Sequence, residues 1–220
     1  MRFIIAPAIA LMLAGCAGMS KDECLYADWS AIGYEDGAAG RPVSAVSPRR
    51  AACAKKAGIT VDMAAYNAGR EDGLYLYCRP SNGYAVGANG GRYYGVCASD
   101  DEDDFLMAFE MGRRLYSLEQ NVYAVAGQIK KAQQDLYNTE HRITATQTAL
   151  ISPATPMADR PALLLEMKEL YDDKEQIEYT LAALDRDLAR AEAALADYED
   201  HLALNGPLLQ PAYEPRNARY

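Results

Sequence analysis

Two long stretches in the second half of the chain share one hydrophobic rhythm. Leu118, Val122, Val125, Ile129, Ala132, Leu136, Thr139, Ile143, Thr146 and Leu150 follow one another at alternating steps of four and three. That spacing keeps a single stripe of an α-helix turned toward a partner. The rhythm returns in Leu163, Met167, Leu170, Lys174, Ile177, Leu181, Leu184, Leu188, Ala191, Leu195, Tyr198 and Leu202. Two helical arms are predicted, over 115–150 and 163–202, each roughly 55 to 60 Å long at 1.5 Å per residue. Between them Pro153, Pro156 and Pro161 stop one helix and allow the next to start, with Asp159 available as N-cap. Arms of similar length joined this closely predict an antiparallel coiled-coil hairpin over 115–204. The seams are equally satisfied within one chain or between two. Lys174, alone among apolar seam residues, reads as a register-setting or snorkelling lysine. Asn205-Gly206-Pro207 ends the second arm, and 205–220 reads as a Pro-rich tail.

Before Leu115 the pattern changes to aromatic residues followed by glycines four apart. The blocks are Trp29-x3-Gly33-x3-Gly37, Tyr66-x2-Gly69-x3-Gly73, Tyr84-x2-Gly87-x3-Gly91 and Phe109-x2-Gly112. Glycines at this spacing lie on one helix face and let another backbone approach it, at about 1 kcal/mol of helix propensity each. A head of short, tightly packed helices follows. One stretch reads two ways, because Asn82-Gly83 and Asn89-Gly90 are both hairpin-turn dipeptides and flank Tyr84-Ala85-Val86 and Tyr93-Tyr94. Residues 82–97 are therefore open to a short β-hairpin. The expected fold class is mainly α, a small Gly-rich head followed by a long helical hairpin.

The extreme N-terminus reads as an address. Arg2 precedes an apolar run from Phe3 to Leu13, too short for a bilayer of about 30 Å, and Leu13-Ala14-Gly15-Cys16 follows at once. This end of the run resembles a bacterial lipobox. The resemblance implies that 1–15 is a signal peptide, that Cys16 carries palmitate-like acyl chains, and that the mature head spans 16–114. In Gram-negative lipoproteins an Asp after the cysteine favours the inner membrane; here the residue is Ala17, which implies an outer-membrane anchor facing the periplasm. Several acyl chains at roughly 0.8 kcal/mol per buried methylene hold a protein that is otherwise water-soluble.

Cysteine usage agrees with that compartment. Once Cys16 is set aside, Cys24, Cys53, Cys78 and Cys97 remain, an even number that reads as two disulfides in an oxidising space. Their wide spacing, with no C-x-x-C pair, does not suit a zinc site. Three connectivities exist; Cys24 with Cys53 and Cys78 with Cys97 close the shorter loops.

Charge removes one class of partner. Lys+Arg 22 against Asp+Glu 31 gives a net charge of -9, which lacks the basic footprint that a nucleic-acid backbone requires. Most of the negative charge falls on the second arm, where it reads first as a solvated face and second as a strip for a basic partner. No G-x-S-x-G, H-E-x-x-H or G-x-x-x-x-G-K-[ST] occurs, and His141 and His201 lie off both seams. The paired acids Glu35-Asp36 and Glu71-Asp72 are of the type used in glycoside hydrolysis, but read first as the outer side of glycine-faced helices. The run from Asp100 to Asp104 reads as a helix start facing the dipole, without the ligand alternation of a calcium loop. No enzyme, cofactor or metal is expected.

The order Cys24, Asp28-Trp29, Ile32-Gly33-Tyr34-x-Asp36-Gly37, Cys53, Tyr66-x2-Gly69, Gly73-Leu74, Tyr77-Cys78, Asn82-Gly83-Tyr84-x2-Gly87, Gly91, Tyr93, Val96-Cys97 resembles the DUF2799 family of proteobacterial envelope lipoproteins. The resemblance covers about residues 24–116 and implies no assigned activity. The expected role is a lipid-anchored structural or interaction lipoprotein, held to the membrane by Cys16 and presenting its arm to an envelope protein. The alternative is a peptidoglycan- or glycan-binding module that stacks sugars on Tyr66, Tyr75, Tyr77, Tyr84, Tyr93 and Tyr94.

Overall fold

The computed structural model describes residues 19–205. Its elements are α1 (Lys21–Tyr26), α2 (Trp29–Ala38), a 3-10 turn (Val43–Val46), α3 (Ser47–Ala57), α4 (Met63–Tyr77), α5 (Pro80–Ala88), α6 (Ser99–Ile151) and α7 (Arg160–Asn205). No strand occurs among the described residues. Cys16, with the acylation and the signal peptide expected there, lies outside them, as does the tail expected after Asn205. None of the described helices is long and apolar enough to cross a membrane.

The described residues form two compact units: those up to Asn82 together with Arg92–Phe105, and Gly83–Gly91 together with those from Leu106 onward. In the first unit, short polar side chains start the helices. Ser20 and Glu23 close a capping box on α1, Asp28 accepts from the Ala31 amide at 3.0 Å, and Asp62 accepts from the Ala64 and Ala65 amides. α3 stops at Gly58, which takes the left-handed conformation. Cys24 is bonded to Cys53 and Cys78 to Cys97, the pairing that closes the shorter loops. The core gathers Cys24, Trp29, Val46, Cys53, Val61 and Tyr66.

The glycine blocks of this unit pack helix on helix. A Cβ at Gly33 would stand 2.0 Å from the Tyr66 carbonyl oxygen, and one at Gly69 would stand 1.9 Å from that of Ser30. α2 and α4 thus touch backbone to backbone, which only glycine permits.

The second unit repeats the device. A Cβ at Gly87 of α5 would meet the Phe109 carbonyl oxygen at 2.1 Å, and one at Gly112 of α6 would meet that of Tyr84 at 2.2 Å. This corrects the hairpin expected at 82–97: Asn82-Gly83 lies in the first turns of α5, and Tyr93-Tyr94 lies in an irregular connection. The physical reason is that each dipeptide serves a helix end. Asn82 donates from Nδ2 to the Tyr77 carbonyl at 2.7 Å, and Gly90 adopts a φ of 68° just past the last turn of α5.

From Leu106 to Asn205, α6 and α7 pack against each other as an antiparallel hairpin within one chain. Tyr198 donates to the Met111 carbonyl at 2.9 Å, Lys174 pairs with Glu140 at 2.8 Å, and Gln147 donates to the Tyr171 hydroxyl at 2.9 Å. The partner number falls as the residue number climbs, which fixes the antiparallel sense. Along both seams the heptad positions are the ones removed from water. Leu118, Thr139, Ile143, Thr146, Leu170, Ala191 and Leu202 are buried, and the remaining seam residues are half-buried. Lys174 keeps its head at the seam edge between Glu140 and Glu178. The hydrogen bond to Glu140 is the main cause holding its ammonium above the usual lysine value.

Candidate functional site

Two sets of side chains carry the sequence expectations, and the structure adds a third. The first is the aromatic set of the head. Tyr66 is fully buried and donates from its hydroxyl to Asp36 Oδ2 at 3.0 Å. Tyr77 is buried with its ring 5.2 Å from that of Phe105, and Tyr93 stacks on the same ring at 4.8 Å. The Tyr93 hydroxyl donates to Glu102 at 2.7 Å and accepts from the Cys97 amide at 3.1 Å. In the second unit, half-buried Tyr84 has its hydroxyl pushed above the ordinary tyrosine value, chiefly by burial and then by Glu119 and Glu199. Tyr75 and Tyr94 reach solvent, under the guanidinium groups of Arg79 and Arg92. The six tyrosines are thus divided between two units and between core and surface. Tyr66, Tyr77 and Tyr93 take part in the head's own packing.

The second set is centred on Asp36, a fully buried carboxylate. Arg41 donates to Oδ1 at 2.8 Å and Arg49 to Oδ2 at 2.5 Å, with Tyr66 as third donor. Burial alone would raise the Asp36 pKa; the bonds from Arg49, Arg41 and Tyr66 outweigh it and hold the carboxyl below its usual value. Burial first, and Asp36 second, push the Tyr66 hydroxyl up to about 12. Here the sequence reading is corrected: Asp36 does not share the exposed side of its helix with Glu35. It faces inward because Arg41 and Arg49 reach it from the following turn and from α3. Glu35, Glu71 and Asp72 are exposed as expected. Asp36 therefore knits α2, α3 and α4 together.

The third set is the end of the α6–α7 hairpin, which sequence reasoning passed over as a mere joint. Thr155 donates to the Ala149 carbonyl at 2.5 Å and the Ser152 hydroxyl accepts from the Ala154 amide, so the chain turns over on its own polar groups. The apolar side chains are left outside. Ile151 and Met157 are each 80% exposed, and Leu164 and Leu165, one and two steps past the seam residue Leu163, are more than half exposed. Beside them lies an open groove of about 540 Å³, lined by Ala149, Ala154, Pro156, Ala162 and Leu163, with Asp159 and Glu166 on its rim. The available signal was an apolar residue immediately off each seam, at 151, 164 and 165. Among the described residues no group of three or more His, Cys, Asp or Glu side chains is placed to hold a metal ion.

Among the described residues the molecule is thus mainly helical, with a glycine-packed helix pair in each unit, two disulfides in the first unit, and a coiled-coil hairpin ending in an apolar tip. Residues 28–114 match the family described as protein of unknown function (DUF2799). The match opens on Asp28, the cap of α2, and closes just past Gly112. No curated protein and no solved structure matches the chain.

Proposed function

We propose that this protein is a lipid-anchored interaction lipoprotein of the cell envelope, in which the α6–α7 hairpin is a docking arm and its tip meets the partner. One observation carries the reading: the hairpin covers its seam with its own second helix, yet leaves Ile151, Met157, Leu164 and Leu165 in water at its end. These side chains add nothing to the arm's own core, and exposed apolar clusters with a polar rim mark protein contact sites. α7 alone, Arg160–Asn205, extends roughly 70 Å at 1.5 Å per residue. An arm of that reach suits contact with a protein distant from the anchor. The anchoring half of the proposal rests on the lipobox ending at Cys16, and Ala17 makes the outer membrane its site.

The test is site-specific photo-crosslinking in intact cells from probes at Ala154 and Ala158, with mass spectrometry of the adducts. A discrete protein adduct that disappears when Ile151 and Met157 are changed to Ser supports docking through the tip. Adducts to muropeptide only, or none from the tip and some from Tyr75 and Tyr94, would replace it with the glycan-binding reading. Palmitate labelling that depends on Cys16, followed in fractionated membranes, tests the anchor separately.

A further inference from the structure

The buried carboxylate of Asp36 gathers more positive charge than it neutralises. The chain leaves α2 through a turn in which the Arg41 amide donates to the Asp36 carbonyl at 2.9 Å, which sets Arg41 beside the acid. Arg49 reaches the same carboxylate from the first turn of α3. Arg70 of α4 donates from Nη2 to the Arg41 carbonyl at 2.9 Å. Burial and Asp36 push the Tyr66 hydroxyl up while Arg70 and Arg49 pull it down, so both guanidinium groups act on the hydroxyl that bonds Asp36. Three arginines from three segments thus share one neighbourhood.

Neither charge nor hydrogen bonding closes there. Arginine stays protonated, so three guanidinium groups against one carboxylate leave two positive charges over. Among the described residues no second carboxylate pairs with any of the three. Arg41 and Arg49 each spend a single Nη1 bond on Asp36, and Arg70 Nε is buried without a partner. Asp36 already has Arg41, Arg49 and Tyr66 as donors, so holding it in place gives no account of the charge on Arg70. The cluster opens outward: the Arg41 side chain is 53% exposed and that of Arg49 27%, with fully buried Asp36 behind them.

We infer that Arg41, Arg49 and Arg70 form a site for a phosphate group, bound as the dianion on the solvent side of Asp36. Two negative charges match the two left over, and guanidinium forks pair with phosphate oxygens two bonds at a time. The site lies wholly in the first unit and does not depend on docking through the tip. Free phosphate and a phosphomonoester lipid headgroup offer the same chemistry, and the test separates them.

The test follows the arginine Nε–H signals of the isotope-labelled full-length protein by NMR at constant ionic strength. At about pH 7.5, inorganic phosphate should shift those of Arg41, Arg49 and Arg70 together, saturating with a Kd of about 1 mM or below, as two or three charge-assisted bonds supply. Chloride should shift none of them. Because phosphate has a second pKa of about 6, binding should weaken about fourfold at about pH 5.5, whereas sulfate, a dianion at both values, should hold its affinity. Asp36, held below its usual value, and Tyr66, at about 12, do not titrate in that range. Arg70→Gln should weaken phosphate about tenfold or more with the Trp29 fluorescence transition kept, and Arg50→Gln, outside the cluster, should change nothing. Arg70→Lys, which keeps the charge without the fork, guards against a folding defect and should bind between the parent and Arg70→Gln. No saturable shift, shifts confined to other arginines, or undiminished binding in folded Arg70→Gln overturns the inference. Glycerol phosphate that binds as tightly as phosphatidic acid in vesicles assigns the group to a soluble ligand; vesicle binding about tenfold tighter, and lost in Arg70→Gln, assigns it to a lipid headgroup.

Discussion

Gly69→Ala reverses the usual sign of a glycine replacement in a helix. In an open helix interior the change stabilises by about 1 kcal/mol. At Gly69 the new Cβ would stand 1.9 Å from the Ser30 carbonyl oxygen and 2.7 Å from its carbon. Ordinary contact begins near 3.4 Å, so α2 and α4 must part by about 1.5 Å. A gap of 0.5 to 1 Å already forfeits roughly a quarter to a half of each dispersion contact. The same separation stretches the 3.0 Å bond from Tyr66 to Asp36 beyond hydrogen-bonding range. Overpacking at about 1 to 3 kcal/mol, plus a charged hydrogen bond at about 1.5 to 3, less the propensity gain, leaves a loss of about 3 kcal/mol. For a unit of this size the midpoint should fall by roughly 10 to 20 °C. Trp29 is the chain's one tryptophan and belongs to this core, so its fluorescence reports the first unit. Gly127→Ala is the internal comparison: nothing lies within 4 Å of its Cβ, and far-ultraviolet dichroism should show the arm unchanged or slightly more stable. A Gly69→Ala protein whose Trp29 transition lies within about 1 kcal/mol of the parent would refute backbone contact between α2 and α4.

Asp36→Asn should cost about 2 kcal/mol, moderated by the half-exposed Arg41. Because the Asp36 pKa is held below its usual value, the carboxylate's contribution is complete above the ordinary 3.8 and is lost as pH falls through the folded value. Acid titration of Trp29 fluorescence should show that loss in the parent and a flatter profile in the variant. Tyr66 has the opposite sign: its contribution is complete below pH 10.0 and is lost as pH rises through about 12, and Tyr66→Phe should remove that alkaline limb in the same assay. Replacing Cys24 and Cys53 together by Ser should cost about 3 to 4 kcal/mol in urea unfolding, from a loop of 29 residues. Leu170→Ala, at a site only 1% exposed, should lower arm stability by about 2 to 5 kcal/mol with the Trp29 transition unmoved.

The arms were legible because a heptad seam repeats its signal many times, and every named seam position is buried or half-buried. Whether the seam closes within one chain was not, since Leu170 looks the same facing either partner. An even set of cysteines announced disulfides, but the pairing is a property of the folded loops around Cys53 and Cys78. Asn82-Gly83 and Asn89-Gly90 misled because a local turn signal also fits a helix start and a helix stop. Asp36 was misplaced for a different reason: its partners Arg41, Arg49 and Tyr66 come from three segments, the turn after α2, α3 and α4, and no local pattern links them. The tip was invisible to seam analysis, whose subject is what the arm buries.

The glycine pairs in the two units follow one plan. Gly33, Tyr34, Gly37, Ala38 and Gly40 recur as Gly83, Tyr84, Gly87, Ala88 and Gly90, and in each unit the last glycine has positive φ and lies against a tyrosine ring, Tyr77 or Tyr116. Gly73 against Tyr34 matches Gly112 against Tyr84. In that register Asp36 corresponds to Val86 and Tyr66 to Phe105, so neither member of the polar pair recurs. That is the exchange buried hydrogen bonds tolerate, since losing one partner alone leaves an unsatisfied group. The second helix of the first pair stops at Cys78, whereas that of the second, α6, runs on to Ile151. The arm therefore grows out of the second glycine pair as one continuous helix, and Tyr198 of α7 returns to bond the Met111 carbonyl beside Gly112. The matched family segment ends at Arg114, which places the tip and its exposed side chains wholly outside it. The second glycine pair is the root of the arm, and the chemistry proposed for docking belongs to what extends beyond it.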